Sequence, residues 1–261
     1  MDLLRLFWLY FRVGVMNELQ YRVNFFVQVF QSLLALITGL VALTLVFHHT
    51  DQLGGWSRPE LLAVMGVHIL MGGVIRALIQ PNMERLMADI QQGTLDYALT
   101  KPVDAQIIVS VREVRIWQAI DVIMGLIVLS WALLELQARL GLLQALAFGV
   151  ALLLGGSMIY SFWLIITTGA FWIMRMENVL ELFQGVYQAG RWPVGMYPTW
   201  LRGILTFLMP VAFAVTVPAE ALTGRLTGQL LLGAAALALA LLALARLVWR
   251  TGLRHYAGAS A

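Results

Sequence analysis

Residues 24–47 carry no charged side chain. At about 1.5 Å of rise per residue, a helix of that length exceeds the roughly 30 Å hydrocarbon core of a bilayer. Inside lipid, backbone N–H and C=O groups must bond to one another, which leaves a helix as the natural form of so long an apolar run. Five further runs follow at about 61–80, 116–134, 142–174, 203–219 and 226–245. The expected fold is therefore an all-α integral membrane protein with six transmembrane helices, forming one domain over 24–249. The run at 142–174 is too long for one crossing, so it either breaks near Gly155-Gly156 or extends beyond the bilayer. Pro210 and Pro218 in the fifth run are candidate bend points, because each removes a backbone donor and crowds the preceding turn.

An even number of spans places both termini on one side. Positive residues near spans are retained in the cytoplasm. Arg5, Arg12, Arg22, Arg85, Lys101, Arg112, Arg115, Arg175, Arg191, Arg202, Arg246, Arg250 and Arg254 fall on the side of the termini, and only Arg58, Arg139 and Arg225 fall opposite. Cytoplasmic termini are expected, with 250–261 as a cytoplasmic tail and short external loops near 48–60, 135–141 and 220–225. The arginines are scattered between apolar runs and form no single basic face, which argues against nucleic acid as a partner. Only 12% of the residues are charged and 61% are hydrophobic, against about 25% charged in soluble domains; lipid is the main solvent. Met1 to Tyr21 holds Asp2, Arg5, Arg12 and Glu18, which interrupts the apolar core a cleavable signal needs.

Two polar segments stand out. Residues 1–23 place Leu3, Leu6, Phe7, Tyr10, Val13 and Leu19 near helical spacing, with Arg5, Arg12 and Glu18 elsewhere. That pattern suits an amphipathic helix lying in the interface. The loop 81–106 contains Glu84, Arg85, Asp89, Asp96, Lys101 and Asp104. Its stretch 83–90 is expected to form a short amphipathic helix stopped by Gly93, and Pro102 ends any helix before the third span. Such a loop can press against a soluble motor domain, or serve only as a solvated connector.

The chain shows no engine of its own. A phosphate-binding G-x-x-x-x-G-K-[ST] loop needs a lysine followed by Ser or Thr, and the single lysine, Lys101, precedes Pro102. With His48, His49, His68 and His255 scattered and no cysteine, neither a zinc pair of the H-E-x-x-H type nor thiol chemistry is available, and no metal ligands or cofactor are assigned. Gly155-Gly156-Ser157-Met158-Ile159 lacks the closing glycine of a nucleophile elbow; small residues there allow close helix packing instead. Inside the spans, His68, Arg76 and Asp121 are the ionisable candidates for a pathway. Asp121 has a second reading, as a residue near the cytoplasmic interface paired to Arg115 or Arg112. Trp117, Trp131, Trp163 and Trp172 can line a pathway or serve as interface and packing residues. A membrane enzyme acting on lipid would require His68 and Asp121 to meet as an acid/base pair, and a passive channel or assembly factor would need no motor contact.

Three stretches carry a resemblance. NELQYRVNFF at 17–26, GTLDYALTKPVDAQ at 93–106 and RWPVGMYPTWLRGILTFLMPVAFAVTVPAEALTGR at 191–225 resemble, in order and spacing, the type-2 ABC exporter permeases, in the branch described as an uncharacterised ABC-type transport system permease component. Trp192-Pro193 stands where those permeases often carry tyrosine before the proline. The resemblance implies a six-span permease that pairs with a second permease, identical or related, and with two copies of a separate cytoplasmic ATPase that binds ATP and Mg. It implies a coupling helix between the second and third spans, assigning ATPase contact to Glu84, Arg85, Asp89, Gly93, Asp96, Lys101 and Pro102. It further implies outward transport of an amphiphilic, drug-like or lipid-like molecule across a bacterial inner membrane.

Overall fold

The computed structural model describes residues 3–18, 22–137, 141–172 and 179–256. Among them the fold is all α: α1 (Leu3–Glu18), α2 (Arg22–Phe47), α3 (Arg58–Val74), α4 (Gln80–Gln92), α5 (Asp96–Leu99), α6 (Ala105–Val111), α7 (Ala119–Glu135), α8 (Leu142–Thr168), α9 (Val179–Ala189), α10 (Thr199–Gly203), α11 (Val217–Leu222) and α12 (Gly228–Leu253). Among the described residues five stretches are long and apolar enough to cross a membrane: Val23–Phe47, Arg58–Gln92, Ile116–Glu135, Leu142–Phe171 and Gly228–Leu253. This is the architecture of a multi-pass membrane protein. Leu19, Arg139 and Arg175, and the side chains of Leu3, Arg5, Leu6, Phe7 and Arg22, lie outside what is described.

The second long helix does not stop where its apolar residues do. A π turn, Ile75–Ile79, joins α3 to α4 in one continuous rod. Pro81 explains the irregularity. It has no N–H to offer the Ala77 carbonyl, and that carbonyl instead accepts from the Arg115 N–H at 3.0 Å. The loop expected from residue 81 therefore begins only at Gly93. There φ is 69°, in the left-handed region, while Thr94 N–H bonds Asp89 C=O at 2.9 Å and Gly93 N–H bonds Ile90 C=O at 3.4 Å. That pair of bonds is a Schellman stop, which needs a residue without a Cβ at the turn.

Helices α3 and α7 pack with backbones in contact. A Cβ at Gly125 would sit 2.5 Å from the Leu70 nitrogen, one at Gly66 2.9 Å from Leu129 N, and one at Gly73 2.8 Å from Val122 N. Small residues permit such approach where lipid gives apolar faces no drive to associate. The same logic decides between two expectations: α8 runs unbroken through Gly155-Gly156, and Gly155 is the point where Phe213 and Ala214 cross it. The apolar excess at 142–174 extends the helix and does not break it. Likewise α12 continues to Leu253, into what the sequence placed in the tail. Its buried Ala234, Ala238, Ala245 and Trp249 form the side facing the bundle.

The fifth run departs most from expectation. Residues 203–219 do not form one straight helix: Thr199–Leu208 and Ala212–Leu222 meet at 78° across a break that contains Pro210. Both ends of this hairpin lie at one end of the bundle. Before it, Met196 packs on Gly54; after it, Arg225 donates to Gly55 C=O at 2.7 Å and grips Glu60 at 2.8 and 2.9 Å. Its turn descends to the level of Gly190, where an added side chain would collide with Val211. Pro218 sits inside the returning helix, just after the π turns of Ala212–Thr216. The polar stretch before the hairpin travels the length of α3. Phe183 and Gln184 of α9 share a small cavity with Ile75 and Gln80, Tyr187 stacks on His68, and Val194 N–H meets Thr216 Oγ1 at 3.3 Å.

Candidate functional site: a held loop tip and a polar cavity

Residues 80–115 form a compact knot at the end of the bundle opposite Glu60. Asn82 is fully enclosed and bonds the backbone of Glu113 in both directions, at 2.8 and 2.9 Å. Glu84 receives Arg115 at 2.5 Å and Gln80 at 2.7 Å. Asp89, only 4% exposed, faces Arg112 at 2.6 Å and Arg85 at 3.3 Å and accepts from Thr94 Oγ1 at 3.0 Å. The Arg112 nitrogen makes no well-aligned hydrogen bond despite that distance, so the attraction there is coulombic. At 4 Å or less in a partly dry site such pairs are worth far more than at the surface.

Those pairs position the tip. Leu95 and Ala98 are buried in the same core as Ile108 and Val109 of α6, which turns the other face of α5 outward. Tyr97 stands 78% exposed, beside exposed Leu99, Thr100, Lys101 and Pro102. Lys101 donates to the Tyr10 hydroxyl of α1 at 2.5 Å and lies 5.2 Å over its ring. Pro102 separates α5 from α6, a helix that hydropathy did not reveal. Asp104 caps α6 through Gln106 N–H at 2.9 Å and pairs with Arg246 of α12. That guanidinium holds the Asp104 carboxyl below its ordinary value, against a smaller opposing effect of burial. Of the residues singled out for motor contact, Lys101 and Pro102 lie on the exposed tip. Asp96 opens α5 half-buried, Gly93 stops α4, Arg85 is exposed on α4's flank, and Glu84 and Asp89 are held inside. Tyr97 was not singled out, although an aromatic in a short polar loop is a usable signal.

The intramembrane candidates meet in a second place. His68, Arg76 and Asp121 line one cavity of about 230 Å³ between α2, α3, the start of α7 and Arg191. Asp121 pairs with Arg76 at 2.7 Å, and not with Arg115 or Arg112, which are committed to Glu84 and Asp89. The same carboxylate accepts from Ser32 Oγ and from Gln28 Nε2 at 3.1 Å. Arg76 Nε donates to Gln118 at 3.1 Å, and Gln118 returns to Gln28 at 2.9 Å. This closed ring ties three long helices together. Gln28, Ser32 and Gln118 were not legible as a site because isolated polar residues in or beside a long apolar run leave its mean hydropathy high.

His68 is 7% exposed, with its ring 4.6 Å from that of Tyr187 and its Nδ1 without a partner. It makes no hydrogen bond to Asp121 among those described, and the Asp121 carboxylate is already saturated by three donors. An acid/base pair is not assembled. Of the tryptophans considered for a pathway, Trp163 is buried against Phe183, Trp131 and Trp172 are exposed, and Trp117 packs edge-on against Phe25; none lines this cavity. Among the described residues no group of three His, Asp or Glu can hold a metal ion.

No curated protein and no solved structure gives a significant match to the chain. The profile of the ABC-2 family transporter proteins matches residues 33–260, from within α2 through the whole of α12. A bundle of long apolar helices, matched over most of its length, belongs to the ABC-2 transporter family as a membrane transport component.

Proposed function

We propose that this chain is the permease subunit of an ATP-driven exporter, moving an amphiphilic, drug-like or lipid-like molecule outward across a bacterial inner membrane. It pairs with a second permease, identical or related, and with two copies of a cytoplasmic ATPase that carry the ATP and Mg. Both termini and the 80–115 knot are cytoplasmic. Six crossings result if the α9 segment through 197 is the fifth and the 199–222 hairpin re-enters from outside.

The observation that carries this reading is the exposed tip at Tyr97–Pro102 on the end of a continuous rod. A tip joined through α4 and a π turn to α3 cannot move without tilting α3, and Asp104–Arg246 passes the same displacement to α12. ATP-driven approach of two motor domains then biases the spans between inward and outward openings, as any two-state element is biased by differential contact. Pro210 provides a bend at which the outer hairpin changes angle.

Co-purification in mild detergent with a genomically adjacent ATPase, followed by hydrolysis assays with and without Asp96→Arg, tests the proposal. A stable complex whose hydrolysis or coupling responds to the substitution supports it. Failure of any ATPase to associate, with an Asp96→Arg chain indistinguishable from wild type, returns the assignment to a channel or assembly factor.

A further inference from the structure

The cavity beside His68 has an unbalanced charge. Arg76 and Arg191 both line it, against the single carboxylate of Asp121. Arg76 is neutralised by that carboxylate at 2.7 Å. Arg191 meets only the neutral amide oxygen of Gln188, at 3.1 Å, among the described residues. A guanidinium in a partly dry cavity without a counterion is costly unless an anion joins it. His68, only 7% exposed, also lines the cavity, but its unpartnered Nδ1 is enclosed beside Gly190 and does not open into it. A cavity lined by two guanidiniums and one carboxylate points to a ligand rich in acceptors.

The rest of the lining is largely apolar, made by Ala35, Leu36 and Gly39 of α2 and Met65 and Ile69 of α3. It follows α2, a helix whose residues are mostly exposed, so the apolar side leads outward from the bundle. The volume of about 230 Å³ is below the roughly 300–1,000 Å³ of sites for whole drug-sized ligands. It suits a compact head with the first part of a chain.

We propose that this cavity binds the anionic headgroup of an amphiphile, a phosphate-type oxyanion held by Arg191 and Arg76, with its chain along Leu36 and Ile69. The proposal rests on the exporter reading only in naming the cargo's chemistry; binding itself needs no ATPase. Guanidinium is the group best suited to such an oxyanion, since its forked donors match two oxygens at once.

The test is equilibrium binding to the purified full chain in maltoside detergent, using dioctanoyl phosphatidic acid, dioctanoyl phosphatidylcholine and inorganic phosphate as probes. Phosphatidic acid is expected to bind about tenfold more tightly than the zwitterionic lipid, and Arg191→Gln to remove most of that preference. Gln188→Glu, nearly isosteric, places a carboxylate beside Arg191 and is expected to do the same, which keeps the test open if Arg191→Gln fails to fold. Equal binding of the two lipids, or variants that melt like wild type and bind phosphatidic acid unchanged, overturns the proposal. Inorganic phosphate competing as well as the lipid at equal concentration assigns the cavity to a free anion and overturns the amphiphile. Because no motor is present, these results stand apart from co-purification: a chain that captures its ATPase but shows no lipid preference refutes the headgroup and spares the permease.

Discussion

Arg76 donates to Asp121 at 2.7 Å across the seam where α3 and α7 touch, one turn from the point where Gly73 leaves room for the Asp121 Cβ. The pair sits at the centre of a ring that also takes in Gln28, Ser32 and Gln118. Asp121→Ala leaves Arg76 without its counterion and three donors without an acceptor. The expected loss is about 1–3 kcal/mol of stability, read as a lower midpoint of thermal unfolding in detergent. Arg76→Gln combined with Asp121→Asn should recover part of it, since an amide pair restores hydrogen bonds without stranded charge. Losses that simply add would show that the two residues do not interact.

Close backbone packing gives a sharper contrast. Gly125→Ala puts a methyl 2.5 Å from the Leu70 nitrogen, and helix backbones cannot yield as a flexible side chain does. About 1–3 kcal/mol of destabilisation is expected, while Gly149→Ala, with open space around it, should be neutral or slightly stabilising. Comparable melting of the two variants would contradict the seam.

Asp89 holds the tip by pairing with Arg112 and Arg85 and by capping Thr94. Asp89→Ala strands Arg112 in a half-buried site. Amide exchange across 93–104 should rise by about tenfold or more, corresponding to at least 1.4 kcal/mol of local protection, with α8 unaffected. Unchanged exchange at the tip would remove Asp89 from its role.

Tyr97 provides the complementary case. At 78% exposure it supports nothing in the folded chain, so Tyr97→Ala should alter stability by less than about 0.5 kcal/mol. Under the permease reading the same variant weakens capture of the ATPase in the co-purification assay. Undiminished capture would place the contact elsewhere on the knot.

Acid should loosen the link between the knot and α12. The Arg246 guanidinium lowers the Asp104 carboxyl from its ordinary 3.8. A carboxyl with a depressed folded value contributes stability that is fully present above its unfolded value and is lost as pH falls through the folded one. The pair is about one-third exposed, so its contribution stays within about 1 kcal/mol. Exchange at residues 104–108 should therefore increase below about pH 4 in wild type, and Asp104→Asn should show that increase already at neutral pH. An acid response identical in the variant would assign it to other groups.

The runs at 24–47, 61–80, 116–134 and 226–245 were legible because lipid-facing residues must be apolar whatever their neighbours are. Gly93 was legible for a local reason, since a left-handed stop needs no partner beyond its own helix. The segment through Gln184, Gln188 and Arg191 was not legible, and the apolar hairpin 199–222 stood in its place. Hydropathy weighs each side chain against lipid, but α9 passes among α3, Phe162 and Trp163, where its polar residues meet protein and a cavity. The partner of Asp121 was likewise beyond reach: Arg112 and Arg115 are near it in sequence, whereas Arg76 is 45 residues away and reaches it through the packing of Gly73 on Asp121. The chain by itself determined that it forms long apolar helices, because that depends on composition and local spacing. Tertiary structure alone decided which charges meet and which stay open, because charges tens of residues apart interact only at a distance that folding sets.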